Sequence, residues 1–153
     1  MKAHIGADAE SGLVHRVHGT AANVADVTQV AELLHGAENT VYTDAGYTGV
    51  EKRDEHENHE VIWQIAARCS TYYSKLNKRS LLYKVKRKIE YCKAQTRTKV
   101  EHPFRVIKRQ FGNVKVRFRG LAKNTAQLTT LFALSNLWMA RRQLLAATGE
   151  VRL

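Results

Sequence analysis

The chain of 153 residues has a single proline, Pro103, and only two cysteines, Cys69 and Cys92, which form no C-x-x-C pair. Cysteines so few and so far apart argue against a structural zinc site and fit a reducing compartment. No Gly/Ser linker, low-complexity tract or internal repeat divides the sequence. A single domain over 1–153 is therefore expected, long enough to bury its own core. The opening Met1-Lys2-Ala3-His4-Ile5-Gly6 has no long apolar run, so no secretory leader is expected. The longest apolar-rich stretch, Leu128 to Ala140, falls short of the roughly 20 residues that span a bilayer. Apolar residues make up 44% of the chain, which excludes bulk disorder.

Acidic residues are scarce in one half only. The net charge is +11, yet residues 1–67 carry just Lys2, Arg16, Lys52 and Arg53 against eleven acids. Residues 68–119 carry seventeen Lys and Arg against Glu90 and Glu101 alone. Tyr72, Tyr73, Tyr83, Tyr91, Phe104, Phe111 and Phe118 are interleaved with these cations. A solvated charged face is the bland reading. So large an imbalance with aromatics favours a polyanionic partner, nucleic acid before a membrane surface, because no clean apolar face stands opposite the charges.

Periodicity predicts a strand over His4–Asp8, a turn at Ala9–Gly12 and a second strand over Leu13–His18, together a hairpin. A helix capped by Asn23 or Asp26 is expected to run to about Leu34. Thr40–Thr43 reads as a strand ending at Asp44, Val50–His56 as a short polar helix, and Val61–Ile65 as a strand. From Arg68 to about Gln110 the chain reads as mostly helical. Pro103 is expected to kink or restart that helix and to bias His102 away from helical geometry. Phe111–Phe118 alternates like a short extended segment. A C-terminal helix within 121–147 carries a broad apolar face of Leu128, Leu131, Phe132, Leu134, Leu137, Trp138 and Leu145. Strands alternating with helices, followed by helices alone, imply a mixed α/β fold.

Two carboxylates stand out. Asp44 closes an apolar strand and is followed by Gly46 and Gly49, which clear space. Strand ends are where ligand chemistry gathers in α/β sheets, so Asp44 is either a metal ligand or only a turn former. On a helix, Arg97, Glu101 and Lys108 would fall within about 40° of one another. That face is either a carboxylate held between cations for a purpose or a surface ion-pair ladder. His56 and His59, three apart in an acidic stretch, read as a solvated loop rather than as metal ligands. His102, beside Glu101, either contacts the site or packs.

Thr43-Asp44-Ala45-Gly46-Tyr47, the spacing of Arg97, Glu101 and Lys108, and the run Glu101 to Gly112 together resemble the DDE transposases of bacterial insertion sequences, in particular the insertion-sequence-five branch. The likeness covers nearly the whole chain, from Lys2-Ala3-His4-Ile5-Gly6-Ala7-Asp8 to the last helix. It implies a ribonuclease-H-like α/β fold, a mixed sheet with flanking helices. The activity implied is metal-dependent cleavage and transfer of DNA strands at insertion-sequence ends. By this resemblance Asp44 and Glu101 are two of three carboxylates that hold two Mg²⁺ (or Mn²⁺) ions about 3.5–4 Å apart. Arg97, Lys99, Arg105, Lys108 and Arg109 contact double-stranded DNA within a basic segment at 68–119. A homodimer on DNA, with no membrane partner, and a cytoplasmic, nucleoid-associated location are implied as well. Ala94 stands where the family has a tyrosine. The family's first aspartate lies on a central strand upstream of the part that matches Met1. Asp8 belongs to a turn and is not its substitute. The chain is thus expected to be a C-terminal portion, inactive alone. A non-catalytic DNA-binding remnant is the alternative. An unrelated RNA-binding α/β domain would explain the charge but lacks the glycine-aromatic strand signature of such folds.

Overall fold

The structure, a computed structural model, describes residues 1–56, 61–67 and 77–147. The chain forms two compact units, Met1–Ala22 with Val100–Leu153, and Asn23–Lys99. Strands and helices occur in both, so the fold is mixed α/β with small sheets.

In the first unit, β1 (Lys2–Ala7) and β2 (Val14–Thr20) pair antiparallel from Lys2↔Thr20 to Ala7↔Val14, with an irregularity between Gly6 and Ala7. The hairpin was legible because its turn chemistry is local. The Asp8 carboxylate accepts from the Glu10 and Ser11 amides and from the Ser11 hydroxyl, and Gly12 takes a φ of 72°. The Ser11 hydrogen bonds hold the Asp8 carboxyl below its usual range. His4 is buried, its Nε2 2.8 Å from the Thr20 hydroxyl on the facing strand.

The hairpin packs on the C-terminal part of α2 (Leu81–Arg109) and on α3 (Leu121–Ala147). Val14, Ile107 and Phe132 form the buried centre, with Ile5, Val17, Phe104 and Leu128 around it. Phe104 meets Phe132 edge to face at 5.1 Å. The Asn136 side-chain amide accepts from the Val14 N–H at 2.9 Å and donates to the Val14 carbonyl at 2.7 Å. It serves β2 as a piece of neighbouring strand would. Asn124 orders the turn before α3, donating to the carbonyls of Phe118 and Gly120 and accepting from the Phe118 amide.

Three expectations for this unit need correction. The helix α2 runs uninterrupted through Pro103, so there is no restart and His102 is helical. Proline in a helix interior costs about 3 kcal/mol. Here Pro103, Val106 and Ile107 are all buried, and that packing offsets the lost hydrogen bond. Phe111–Phe118 forms no strand: Val114, Val116 and Phe118 are exposed, and the Phe118 backbone is taken by the Asn124 side chain. The apolar face of α3 is only partly used. Phe132 is buried, whereas Leu134, Leu137 and Leu145 lie about 140–160° round the helix from it and stay exposed.

In the second unit, β3 (Thr40–Thr43) and β4 (Ile62–Ile65) pair in parallel from Thr40↔Ile62 to Thr43↔Ile65. Hydrogen bonds of 2.9 Å from Ile62 N–H to the Asn39 carbonyl and from Ala66 N–H to the Thr43 carbonyl extend the pair at both ends. The expected helix before β3 is shorter than its pattern. A 3₁₀ turn over Asp26–Gln29 leads into one α-turn, α1 (Val30–Leu33), with no side-chain cap. Thr28 turns its hydroxyl back to the Ala25 carbonyl, a local bond that competes with helix continuation. The polar stretch after Gly49 makes two 3₁₀ turns, Val50–Lys52 and Asp54–His56, with Val50 fully buried. His56 is not solvated. It is buried, with its ring 5.2 Å from Trp63 of β4. His59, Cys69, Tyr72 and Tyr73 lie outside the described residues.

Candidate active site

Asp44 sits at the end of β3, where the strand gives way to a 3₁₀ turn over Ala45–Tyr47. Its side chain caps that turn, with Oδ1 accepting from the Gly46 N–H at 2.7 Å. The turn-forming role is therefore real. It uses one oxygen, and Oδ2 is engaged by no hydrogen bond among the described residues. The half-buried carboxylate keeps one oxygen to spare.

The two following glycines do different things. A Cβ on Gly46 would stand 2.9 Å from Asp44 Oδ1, so any side chain there would push the carboxylate aside. Gly49 clears no space; it supplies a left-handed φ of 91° before the Val50 turn. Tyr47 closes the turn, and burial raises its hydroxyl pKa to about 12, with the negative charges of Asp26 and Asp44 adding to the shift. Asp26, eighteen positions before Asp44 in the chain, had no local signal that would have linked it to this turn.

A second feature, one with no local sequence signal, secures β4. The Glu90 carboxylate accepts from the Ala67 N–H at 3.0 Å, and Lys93 Nζ donates to the Ile65 carbonyl at 3.0 Å. The two side chains pair with each other at 3.2 Å and are largely shielded. Glu90, one of the two acids in the basic stretch, is thus spent on structure.

Arg97, Lys99, Glu101, Arg105, Lys108 and Arg109 all lie on α2, Arg97 and Lys99 in the second unit and the others in the first. Because the helix is unbroken at Pro103, Glu101 and Lys108 of the first unit stay within about 20° of one another on it. Glu101, Arg105, Lys108 and Arg109 are exposed. Arg105 and Arg109 are brought together in one groove of about 620 Å³ with His102, Val106, Gln110 and Trp138. His102 thus faces a groove and is not core packing. Trp138 was read as part of an apolar face, and its place beside two guanidinium groups was not legible. Within neither unit do three His, Cys, Asp or Glu side chains of the described residues cluster as a complete metal cage.

The family model for the transposase DDE domain matches residues 1–137, and the chain belongs to that family. DDE transposases generally use divalent metal ions. No solved structure matches the chain. None of the described helices is long and apolar enough to cross a membrane.

Proposed function

We propose that this chain is the C-terminal portion of the catalytic domain of an insertion-sequence DDE transposase of the insertion-sequence-five branch, with a ribonuclease-H-like fold. Its reaction is metal-dependent cleavage and transfer of DNA strands at insertion-sequence ends. The observation that carries the reading is the family match over residues 1–137. Asp44 supports it as a hard oxygen donor with one oxygen uncommitted, and Glu101 as a second carboxylate, exposed on α2. Both suit Mg²⁺ or Mn²⁺. Two such ions, when bound, activate the attacking oxygen and stabilise the leaving one. Arg97 and Lys108 hold DNA phosphates near the transposon end, and Lys99, Arg105 and Arg109 add sequence-independent affinity.

Residues 1–153 act as one catalytic domain, with 68–119 as its DNA-contacting segment and 121–147 as its closing helix. The third carboxylate comes from outside these residues. Asp8 is unsuited to the role because its carboxylate is spent on the turn before β2. By the resemblance, an upstream strand would carry it. The chain works in the cytoplasm, at the nucleoid, as a homodimer on double-stranded DNA.

The test compares this chain with a version extended by its upstream coding sequence. The short chain should bind duplex DNA without nicking it. Its affinity should fall with salt at a log–log slope of about −0.9 per neutralised phosphate. The extended chain should nick transposon-end DNA with Mg²⁺. Asp44→Asn and Glu101→Gln should each lower its rate on the order of a thousandfold while leaving DNA affinity in place. An extended chain that binds but never nicks would be a DNA-binding remnant, and the catalytic reading would fall.

A further inference from the structure

The groove of the first unit joins features that duplex binding alone does not require. It lies between the C-terminal turns of α2 and the middle of α3, and its lining is His102, Arg105, Val106, Arg109, Gln110 and Trp138. Among the described residues, no carboxylate lines it. The guanidinium groups of Arg105 and Arg109 are charged at any working pH. Trp138 leaves 38% of its surface exposed, although a chain of this kind gains by covering an indole.

The ring is also held in place. The Arg141 guanidinium stacks on it, with Cζ 4.1 Å from the ring centroid, and donates to the Trp138 carbonyl. One face of the indole is therefore given to a cation, and the ring is fixed before anything binds. The groove thus combines a partly exposed indole, an apolar contact at Val106, two cations one helical turn apart and two side chains able to hydrogen-bond.

We infer that this groove takes an unpaired stretch of DNA, with a base stacked on Trp138 and the adjoining phosphates held by Arg105 and Arg109. The inference rests on the reading of the chain as a DNA-processing domain and adds a strand state to it. Within a duplex both faces of every base are covered by neighbouring bases, so an indole has nothing to stack on. An overhang or frayed end offers a free base face beside its phosphates, and base–aromatic stacking tolerates any base. Phosphates alone would be served by the arginines and would leave the tryptophan without a role. His102 and Gln110 stand where they can meet the edge of the stacked base.

Binding of the full chain to fluorescently labelled DNA tests this by anisotropy. Three probes of equal length are compared: single-stranded oligo-dT, a blunt duplex, and a duplex with a short oligo-dT overhang. The overhang should bind more tightly than the blunt duplex. Trp138→Ala should weaken binding to oligo-dT and to the overhang by about five- to twentyfold while changing the blunt duplex less than about twofold. Trp138→Phe, which keeps a ring, should restore most of the loss. Arg105→Glu should weaken all three. Circular dichroism of each variant separates lost binding from lost folding.

Equal binding of overhang and blunt duplex, or equal losses on both in Trp138→Ala, would overturn the inference and leave the duplex-binding function standing. Displacement of oligo-dT by polyglutamate as readily as by unlabelled oligo-dT would also overturn it, because the groove would then be reading charge alone. If the chain binds none of the probes, the DNA-binding reading fails and this inference falls with it.

Discussion

The β1–β2 sheet and the β3–β4 sheet are both two-stranded, and neither arrangement is stable in water without support. Each is secured by polar side chains from a helix, by different chemistry. In the first unit the neutral amide of Asn136 satisfies both backbone groups of Val14, and the hairpin face rests on Phe132 and Ile107. In the second unit the ion pair Glu90–Lys93 holds the backbone of Ala67 and Ile65. The difference follows connectivity. A hairpin closes over a short turn and brings its own apolar face, so one amide suffices to seat it. A parallel pair needs a long crossover. The described part of the crossover is polar, with Val50 its buried apolar side chain, so charged clamps do more of the holding.

The comparison can be broken at each anchor. The largest effect is expected from Asn136→Ala, which leaves the Val14 N–H and carbonyl without their partner in a part-buried setting. The loss should be about 2–3 kcal/mol, read from denaturant unfolding, with hydrogen exchange at the Val14 amide rising in step. If Val14 stays protected, the amide is ornamental and the apolar face alone seats the hairpin. Glu90→Ala should cost less, about 1–2 kcal/mol, because Lys93 still reaches the Ile65 carbonyl. Faster exchange should be confined to the Ala67 amide and its neighbours, and a change spread through the hairpin would contradict two separately secured sheets.

The smallest effect is a pH dependence in the turn that holds Asp44. Tyr47 is raised to about 12 chiefly by burial, so its neutral form is the one the fold favours. The stability this contributes is intact below the ordinary tyrosine value of about 10 and is lost as pH rises from there through 12. Absorbance of tyrosinate against pH, compared between the chain and Tyr47→Phe, should show one late-titrating group that the variant lacks. An early titration of Tyr47 would show that its hydroxyl is not shielded.

The mixed α/β class, the hairpin, the strands β3 and β4 and the two long helices were legible in the sequence because each rests on local periodicity and turn chemistry. Asp8, Ser11 and Gly12 specify their turn within five residues, and Thr40–Thr43 is apolar and β-branched enough to be a strand anywhere. The block from Thr43 to Tyr47 and the run from Glu101 to Gly112 carried the family. What the tertiary structure decided is whatever depends on partners distant in the chain. Pro103 stays helical because burial of its neighbours outweighs a lost hydrogen bond, and local rules count only the loss. Phe111–Phe118 alternates like a strand but finds no ladder to join. His56 is buried because Trp63 is there to receive it. Val14 and Asn136, 122 residues apart, bond through an amide that no spacing rule anticipates. Periodicity tells a residue which way to face, and only packing supplies what it faces.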